Sequence, residues 1–98
     1  GLNLLLRTIS SIKKQLNPSL EVLGIVFTMY SSRSNLNNEV VDDITAYFKD
    51  LVFDTKIPRN VRLSEAPSHG LPINAYDNSC SGSKAYNALA KEVLDRVN

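Results

Sequence analysis

Apolar side chains at Leu2, Leu5, Leu6, Ile9, Ile12 and Leu16 recur mostly at intervals of three and four, which predicts an amphipathic helix with one buried stripe. Arg7, Lys13, Lys14 and Gln15 take the opposite face. The lysine pair suits the negative end of the helix dipole, and Asn17 before Pro18 ends the helix, because the residue preceding a proline is pushed out of the α region. The pattern then changes period. Val22, Leu23, Gly24, Ile25, Val26 and Phe27 form a nearly unbroken apolar run rich in β-branched residues, which predicts a strand from Glu21 to Tyr30 covered on both faces, as in parallel sheets. Gly24 within it lets another backbone or a helix come close.

The polar segment from Ser31 to Asn35 leads into a second predicted helix, Asn37 to Lys49, with Leu36, Val40, Val41, Ile44 and Phe48 on one side. Glu39, Asp42 and Asp43 sit in its early turns, where the macrodipole favours negative charge; adjacent helix positions do not readily turn Asp42 and Asp43 onto one metal ion. A second short strand follows, Leu51 to Pro58. Strand, helix and strand within about 35 residues make a βαβ unit, with parallel strands and a right-handed crossover. Residues 59–70 read as a loop, 71–76 as extended or irregular chain, and 77–82 as a polar turn. The last helix runs from Ser83 to Val97, with Ala85, Tyr86, Leu89, Ala90, Val93, Leu94 and Val97 on one face and Ser81 or Ser83 as its N-cap. The order is α-β-α-β-loop-α, an α/β fold in one domain spanning 1–98.

Composition narrows the function classes. A chain of 98 residues with 43% hydrophobic content holds one core. With 11 basic and 10 acidic side chains, any nucleic-acid binding must come from a local patch rather than an overall field. One cysteine, Cys80, allows no internal disulfide and fits a reducing compartment. No apolar run approaches the roughly 20 residues that cross a bilayer, and the start lacks a signal peptide's pattern, so the chain reads as soluble and cytoplasmic. It begins at Gly1 without a methionine, which suggests a piece of a longer protein. A two-stranded parallel unit needs neighbours, so exposed strand edges and self-association or companion chains are expected.

Chemistry concentrates in Ile57-Pro58-Arg59-Asn60-Val61-Arg62-Leu63-Ser64-Glu65-Ala66-Pro67-Ser68-His69-Gly70. In a parallel sheet the loops leaving the carboxyl ends of the strands share one rim. That rim gathers Arg33 from the first loop with Arg59 and Arg62 from the second, and guanidinium groups suit phosphate because their planar fork donates two parallel hydrogen bonds. Each arginine could instead pair with a carboxylate such as Glu65. A hydrolytic set of Ser64 or Ser68 with His69 and Glu65 can also be drawn, but a triad needs a base oriented by a third group, which sequence neighbours rarely supply; Glu65 and His69 more naturally fix the loop by hydrogen bonds. No G-x-x-x-x-G-K-[ST] phosphate loop occurs.

The Ile57–Gly70 stretch resembles the segment near the C-terminus of ParA-type partition ATPases, especially the chromosomal Soj branch. The resemblance extends over nearly the whole chain, through Leu23-Gly24-Ile25-Val26-Phe27-Thr28-Met29, Tyr47-Phe48, Tyr76-Asp77, Gly82, Tyr86, Leu89-Ala90 and Glu92. It implies the C-terminal part of a doubly wound, mostly parallel sheet of P-loop NTPase type, with the phosphate-binding half upstream. It further implies, for the full-length protein, an ATPase that uses ATP and Mg2+, dimerises on ATP, coats DNA without sequence preference and is stimulated by a ParB-like partner, in the cytoplasm at the nucleoid. The cargo is a chromosome or a plasmid, and this portion alone is not catalytic. By position, Thr28, Met29, Pro58, Arg59 and Asn60 lie near the adenine, and Arg33 and Arg62 match arginines associated with DNA. Asn78, Ser79, Cys80 and Ser81 replace arginines that many relatives carry before the last helix, and Ser83 replaces a commoner alanine. The alternative reading is a protein-interaction module of ParA-like fold without a nucleotide.

Overall fold

The computed structural model describes residues 2–98; Gly1 lies outside them. Seven elements follow one another: α1 (Leu2–Gln15), β1 (Ile25–Tyr30), α2 (Asn35–Phe48), β2 (Val52–Pro58), α3 (Val61–Glu65), α4 (Ile73–Tyr76) and α5 (Ser81–Val97). Single 3-10 turns at Lys49–Leu51 and Ala66–His69 lie on either side of β2 and α3. β1 and β2 pair in parallel through the α2 crossover, so the βαβ unit expected from the pattern is present.

Pairing in this sheet is irregular. Ile25 lies opposite Val52, Phe27 opposite Lys56 and Tyr30 opposite Pro58. Between the first two pairs β1 advances two residues while β2 advances four, which leaves part of β2 without ladder partners on β1. Buried amides do not stay unbonded at no cost. In this stretch the N–H groups of Asp54 and Thr55 donate to the Glu92 carboxylate of α5, at 2.9 and 2.6 Å. Four residues on, Arg96 donates to the carbonyls of Leu23 and Leu51 at 3.0 Å each and of Val52 at 3.1 Å, with its guanidinium 3.7 Å from the centre of the Phe53 ring. Positions four apart on a helix share a face. One turn of α5 therefore seals the irregular start of the sheet.

These bonds explain the differences from the sequence reading. β1 begins at Ile25 rather than Glu21, because the Leu23 carbonyl is spent on Arg96 and not on a ladder bond. Gly24 does sit at a close approach: a Cβ there would collide with Phe53 and Arg96 and lie 2.9 Å from the Leu51 carbonyl oxygen. The segment expected as a loop folds as α3 and the following 3-10 turn, since the Asn60 side chain accepts from the Arg62 N–H at 2.9 Å as an N-cap and Gly70, at φ 65°, ends the turn. Residues 73–76 form a helical turn after Pro72 rather than extended chain. α5 starts two residues early, capped by Cys80, whose sulfur accepts from the Ser83 N–H. The two serines expected to cap it are used elsewhere: Ser81 accepts from Asn60, and the Ser83 hydroxyl donates to Asn74.

The core is small. Among the described residues, the buried side chains are Phe53, Ile57, Ala66 and the polar Ser83, from β2, the 3-10 turn after α3, and α5. β1 is not covered on both faces as expected: its residues are half-buried or exposed, because open grooves remain between it and both α1 and α2. The stripe of α1 lies along an apolar groove with Val22, Ile25, Val26, Phe48 and Leu51, and Leu4, Leu5, Leu16 and Leu36 remain more than half exposed. The accessible surface of 7317 Å² exceeds the ~5,600 Å² of a monomer this size, and the radius of gyration of 15.4 Å exceeds about 13 Å.

Hydrogen bonding to Thr55, and secondarily to the Asp54 and Thr55 amides, holds the Glu92 carboxyl below its ordinary pKa, against the opposing effect of burial. A depressed carboxyl stabilises the fold above its unfolded pKa and loses that contribution as pH falls through the folded value. Replacing Glu92 with Ala should cost about 1–2 kcal/mol in urea denaturation at pH 7. The difference between wild type and Glu92→Ala should shrink as pH drops below ~4, and a difference that stays constant down to pH 2 would contradict the clasp.

Candidate nucleotide-base cleft and arginine rim

Tyr30 of β1 pairs with Pro58 of β2 in parallel, so the chain leaves both strands on the same edge. The Arg59 N–H donates to the Tyr30 carbonyl at 3.3 Å and holds the two exits side by side. At this edge a cleft of about 470 Å³ opens, lined by Thr28, Met29, Ile57, Pro58, Arg59, Asn60, Leu63, Ser64 and Tyr86. All five residues placed near the adenine by resemblance, Thr28, Met29, Pro58, Arg59 and Asn60, border this one cavity.

Neighbouring strand residues normally point to opposite faces, so Thr28 and Met29 should not share a wall. A register shift brings them together. From Phe27 to Tyr30 β1 advances three residues while β2, from Lys56 to Pro58, advances two, and within this bulge Met29 takes φ 52°, a left-handed conformation that a long side chain adopts only under constraint. Met29 is 61% exposed, so packing of its side chain does not hold it there. Non-glycine residues in this region cluster at ligand sites.

Asn60 shapes the cleft rather than facing it with free polar atoms. Its oxygen caps α3, and its Nδ2 donates to Ser81 Oγ at 2.6 Å, which ties the start of α3 to the start of α5. Gly82 allows that approach, because a Cβ there would meet the Leu63 side chain at 2.6 Å. The Ser64 hydroxyl donates to the Val61 carbonyl at 2.7 Å.

The arginines are distributed unevenly along the rim. Arg33 is exposed in the turn closed by the Ser34 N–H to Ser31 carbonyl bond, outside the cleft. Arg59 lines the cleft. Arg62, on α3, is tethered: its Nη1 lies 3.2 Å from Glu65 Oε1 and its Nε 3.5 Å from Asp77 Oδ2. The Tyr76 phenol first, then Glu65 and Asp77, push the Arg62 pKa up. Asp77 is held below its ordinary value, chiefly by the Ser79 hydroxyl and N–H and also by Arg62. With 51% of its side chain open to solvent, Arg62 still reaches outward.

Glu65 and His69 fix this segment. Tyr76 donates its hydroxyl to Glu65 at 3.1 Å, His69 Nδ1 lies 3.2 Å from the Glu65 carbonyl, and the His69 ring packs on Tyr76 at 4.8 Å. Among the described residues no hydrogen bond joins Ser64 or Ser68 to His69, so the hydrolytic set is not assembled. Ile57, Leu63, Ser64 and Tyr86 complete the cleft without having been assigned to it from sequence. Tyr86 reads there as one more apolar position of the last helix, and only the packing of α5 on β2 carries it to the strand ends.

Residues 1–73 match the model of the CobQ/CobB/MinD/ParA nucleotide-binding domain. The chain belongs to that family. Among its relatives are the chromosome-partitioning ATPase Soj of Treponema pallidum, 54% identical over 96 residues, and the chromosome partitioning protein ParA of Caulobacter vibrioides, 52% identical over 96 residues. Each alignment takes in 98% of this chain, with 38% of the first relative and 36% of the second. The sporulation initiation inhibitor protein Soj of Bacillus subtilis is 50% identical over 93 residues, 95% of this chain and 37% of that protein. The chain therefore spans little more than a third of the length of these relatives, and its α/β order and parallel strand pair agree with membership of this nucleotide-binding family.

The strain at Met29 gives a direct test. Met29→Gly should leave stability unchanged or raise it by up to about 1 kcal/mol, whereas β-branched Met29→Val should lower it by ~1–3 kcal/mol, both read by thermal denaturation. Equal stability of the two variants would remove the bulge from the account of the cleft.

Proposed function

We propose that this chain is the C-terminal region of a Soj/ParA-like ATPase of chromosome or plasmid segregation, supplying part of the adenine pocket and part of a nonspecific DNA surface. The observation that carries the reading is the strand-end cleft: Thr28, Met29, Pro58, Arg59 and Asn60 line one cavity where open parallel sheets bind their ligands, in a chain of a nucleotide-binding family.

The donor set fits a base and not a triphosphate. Met29, Pro58 and Leu63 offer apolar surface to a flat heterocycle, beside the polar side chains of Thr28, Arg59, Asn60, Ser64 and Tyr86. The sequence contributes no G-x-x-x-x-G-K-[ST] loop, so the phosphates of ATP and the Mg2+ that accompanies them fall to the remainder of the intact protein. In that protein, ATP supplies the energy of the cycle, a dimer forms around it, and a ParB-like partner stimulates turnover on the nucleoid. The residues of this chain hold the base and present cations to DNA.

Arg33 and Arg62 take the DNA role. Both leave the carboxyl ends of the paired strands, and neither requires a base edge, since phosphate contacts carry no sequence information. Arg33 is free to reach a backbone phosphate, while Arg62 is held by Glu65 and Asp77 with half of its side chain in solvent. Among the described residues no helix is long and apolar enough to cross a membrane.

In the intact gene product, Arg33→Ala and Arg62→Ala should each weaken retention on nonspecific DNA, and each should reduce the slope of log affinity against log salt by about one. ATP affinity should stay at the wild-type level in both. Retention and salt slope unchanged in both variants would sink the DNA assignment.

A further inference from the structure

The cleft has one wall on the last helix. Tyr86 of α5 lines it together with Met29, Pro58 and Leu63, and is 39% exposed. Most polar groups of the cleft are already committed. The Asn60 oxygen accepts from Arg62 and its nitrogen donates to Ser81, the Ser64 hydroxyl donates to Val61, and the Arg59 N–H is given to Tyr30. Among the described residues, the Thr28 and Tyr86 hydroxyls and the Arg59 guanidinium are the polar side-chain groups of this cavity that make no hydrogen bond within the chain.

We infer that Tyr86 is a contact residue for the base, its ring stacking on the heterocycle, while the hydroxyl of Thr28 reads the polar edge. Asn60, in contrast, is a positioning residue that sets the cleft wall by capping α3 and bridging to α5. The inference rests on the proposed base-binding role of the cleft. The two side chains suit the two tasks. The Tyr86 ring offers a wide flat surface at the cost of fixing few torsions, and the Thr28 hydroxyl both donates and accepts, so it can serve either the amino group or a ring nitrogen of adenine. Met29, held in the bulge, supplies a polarisable thioether that adapts to a flat partner.

The consequence is discrimination at the edge of the base. Stacking is indifferent to which purine is bound, because every base has a π face. A hydroxyl that bonds the adenine edge responds when the amino group is exchanged for the carbonyl of hypoxanthine, as in ITP.

The test is calorimetric titration of the intact gene product with ATP and with ITP. Tyr86→Leu should weaken ATP binding about tenfold, with an unliganded melting temperature close to wild type, and Tyr86→Trp should restore most of the loss. Tyr86→Phe should keep ATP affinity within a few-fold, and Thr28→Val should reduce the preference for ATP over ITP at least threefold. ATP affinity within twofold of wild type in Tyr86→Leu overturns the contact. So does an affinity loss in Tyr86→Leu that tracks a collapsed melting temperature and is not recovered in Tyr86→Trp, and a full ATP preference in Thr28→Val overturns the edge reading. Met29→Lys, which places a charge in the cleft, separates this inference from the reading beneath it. If Met29→Lys weakens ATP binding and the Tyr86 variants do not, Tyr86 alone is excluded; if none of them changes it, the base-binding cleft itself is wrong.

Discussion

The clasp of α5 on the start of the sheet is the constraint on which the remainder depends. Two parallel strands of six and seven residues with irregular register expose more backbone polar groups than they can satisfy between themselves. Glu92 accepts two amides of β2, and Arg96 donates to three carbonyls, that of Leu23 just before Gly24 and those of Leu51 and Val52 at the start of β2. Charge-assisted bonds of this kind are stronger than neutral ones, and they come from positions four apart on a single helix. Because α5 is fixed here, its other end is delivered to the opposite end of the strands, where Ser81 meets Asn60 and Tyr86 enters the cleft.

The same irregular pairing that creates a need for the clasp also builds the cleft. A regular strand would send Thr28 and Met29 to opposite faces; the bulge and the left-handed Met29 turn both to one side. Strain at this point is tolerated because both strand exits are held together by the bond between Arg59 and Tyr30, and because Asn60 anchors the following helix immediately afterwards. Sequence positions more than fifty apart thus border one cavity.

Away from β2 the molecule is open. Half-exposed stripes on α1 and α2, a sheet with two free edges and a surface larger than its mass calls for describe apolar faces without a partner inside this chain. The relatives are nearly three times as long as the part aligned here. The buried side chains Phe53, Ile57, Ala66 and Ser83 cluster in the part of the chain that carries the cleft and the tethered Arg62, so the candidate site sits beside the packed core.

Periodicity by itself determined the three long helices α1, α2 and α5, the two strands and their parallel pairing, because apolar stripes repeat every 3.6 residues in a helix and short continuous apolar runs mark strands. The residues Ile57–Gly70 alone marked the stretch richest in candidate functional side chains. Local sequence did not reveal that this stretch folds as a capped helix and a 3-10 turn: the Asn60 cap competes with a run of prolines, arginines and serines that reads as loop. Nor did it reveal the α5 cap, since a cysteine is a weak acceptor and two serines stood beside it, both drawn off by partners distant in sequence. The pairing of Arg62 with Glu65 was legible from spacing, whereas its second tether, Asp77, required α4 to bring it back. Glu92, Arg96 and Tyr86 look in sequence like ordinary positions of an amphipathic helix. Only the tertiary structure decided that the first two satisfy the sheet and the third faces the cleft, because a side chain's role at a backbone gap or cavity depends on contacts across 37 to 73 residues that no local period records.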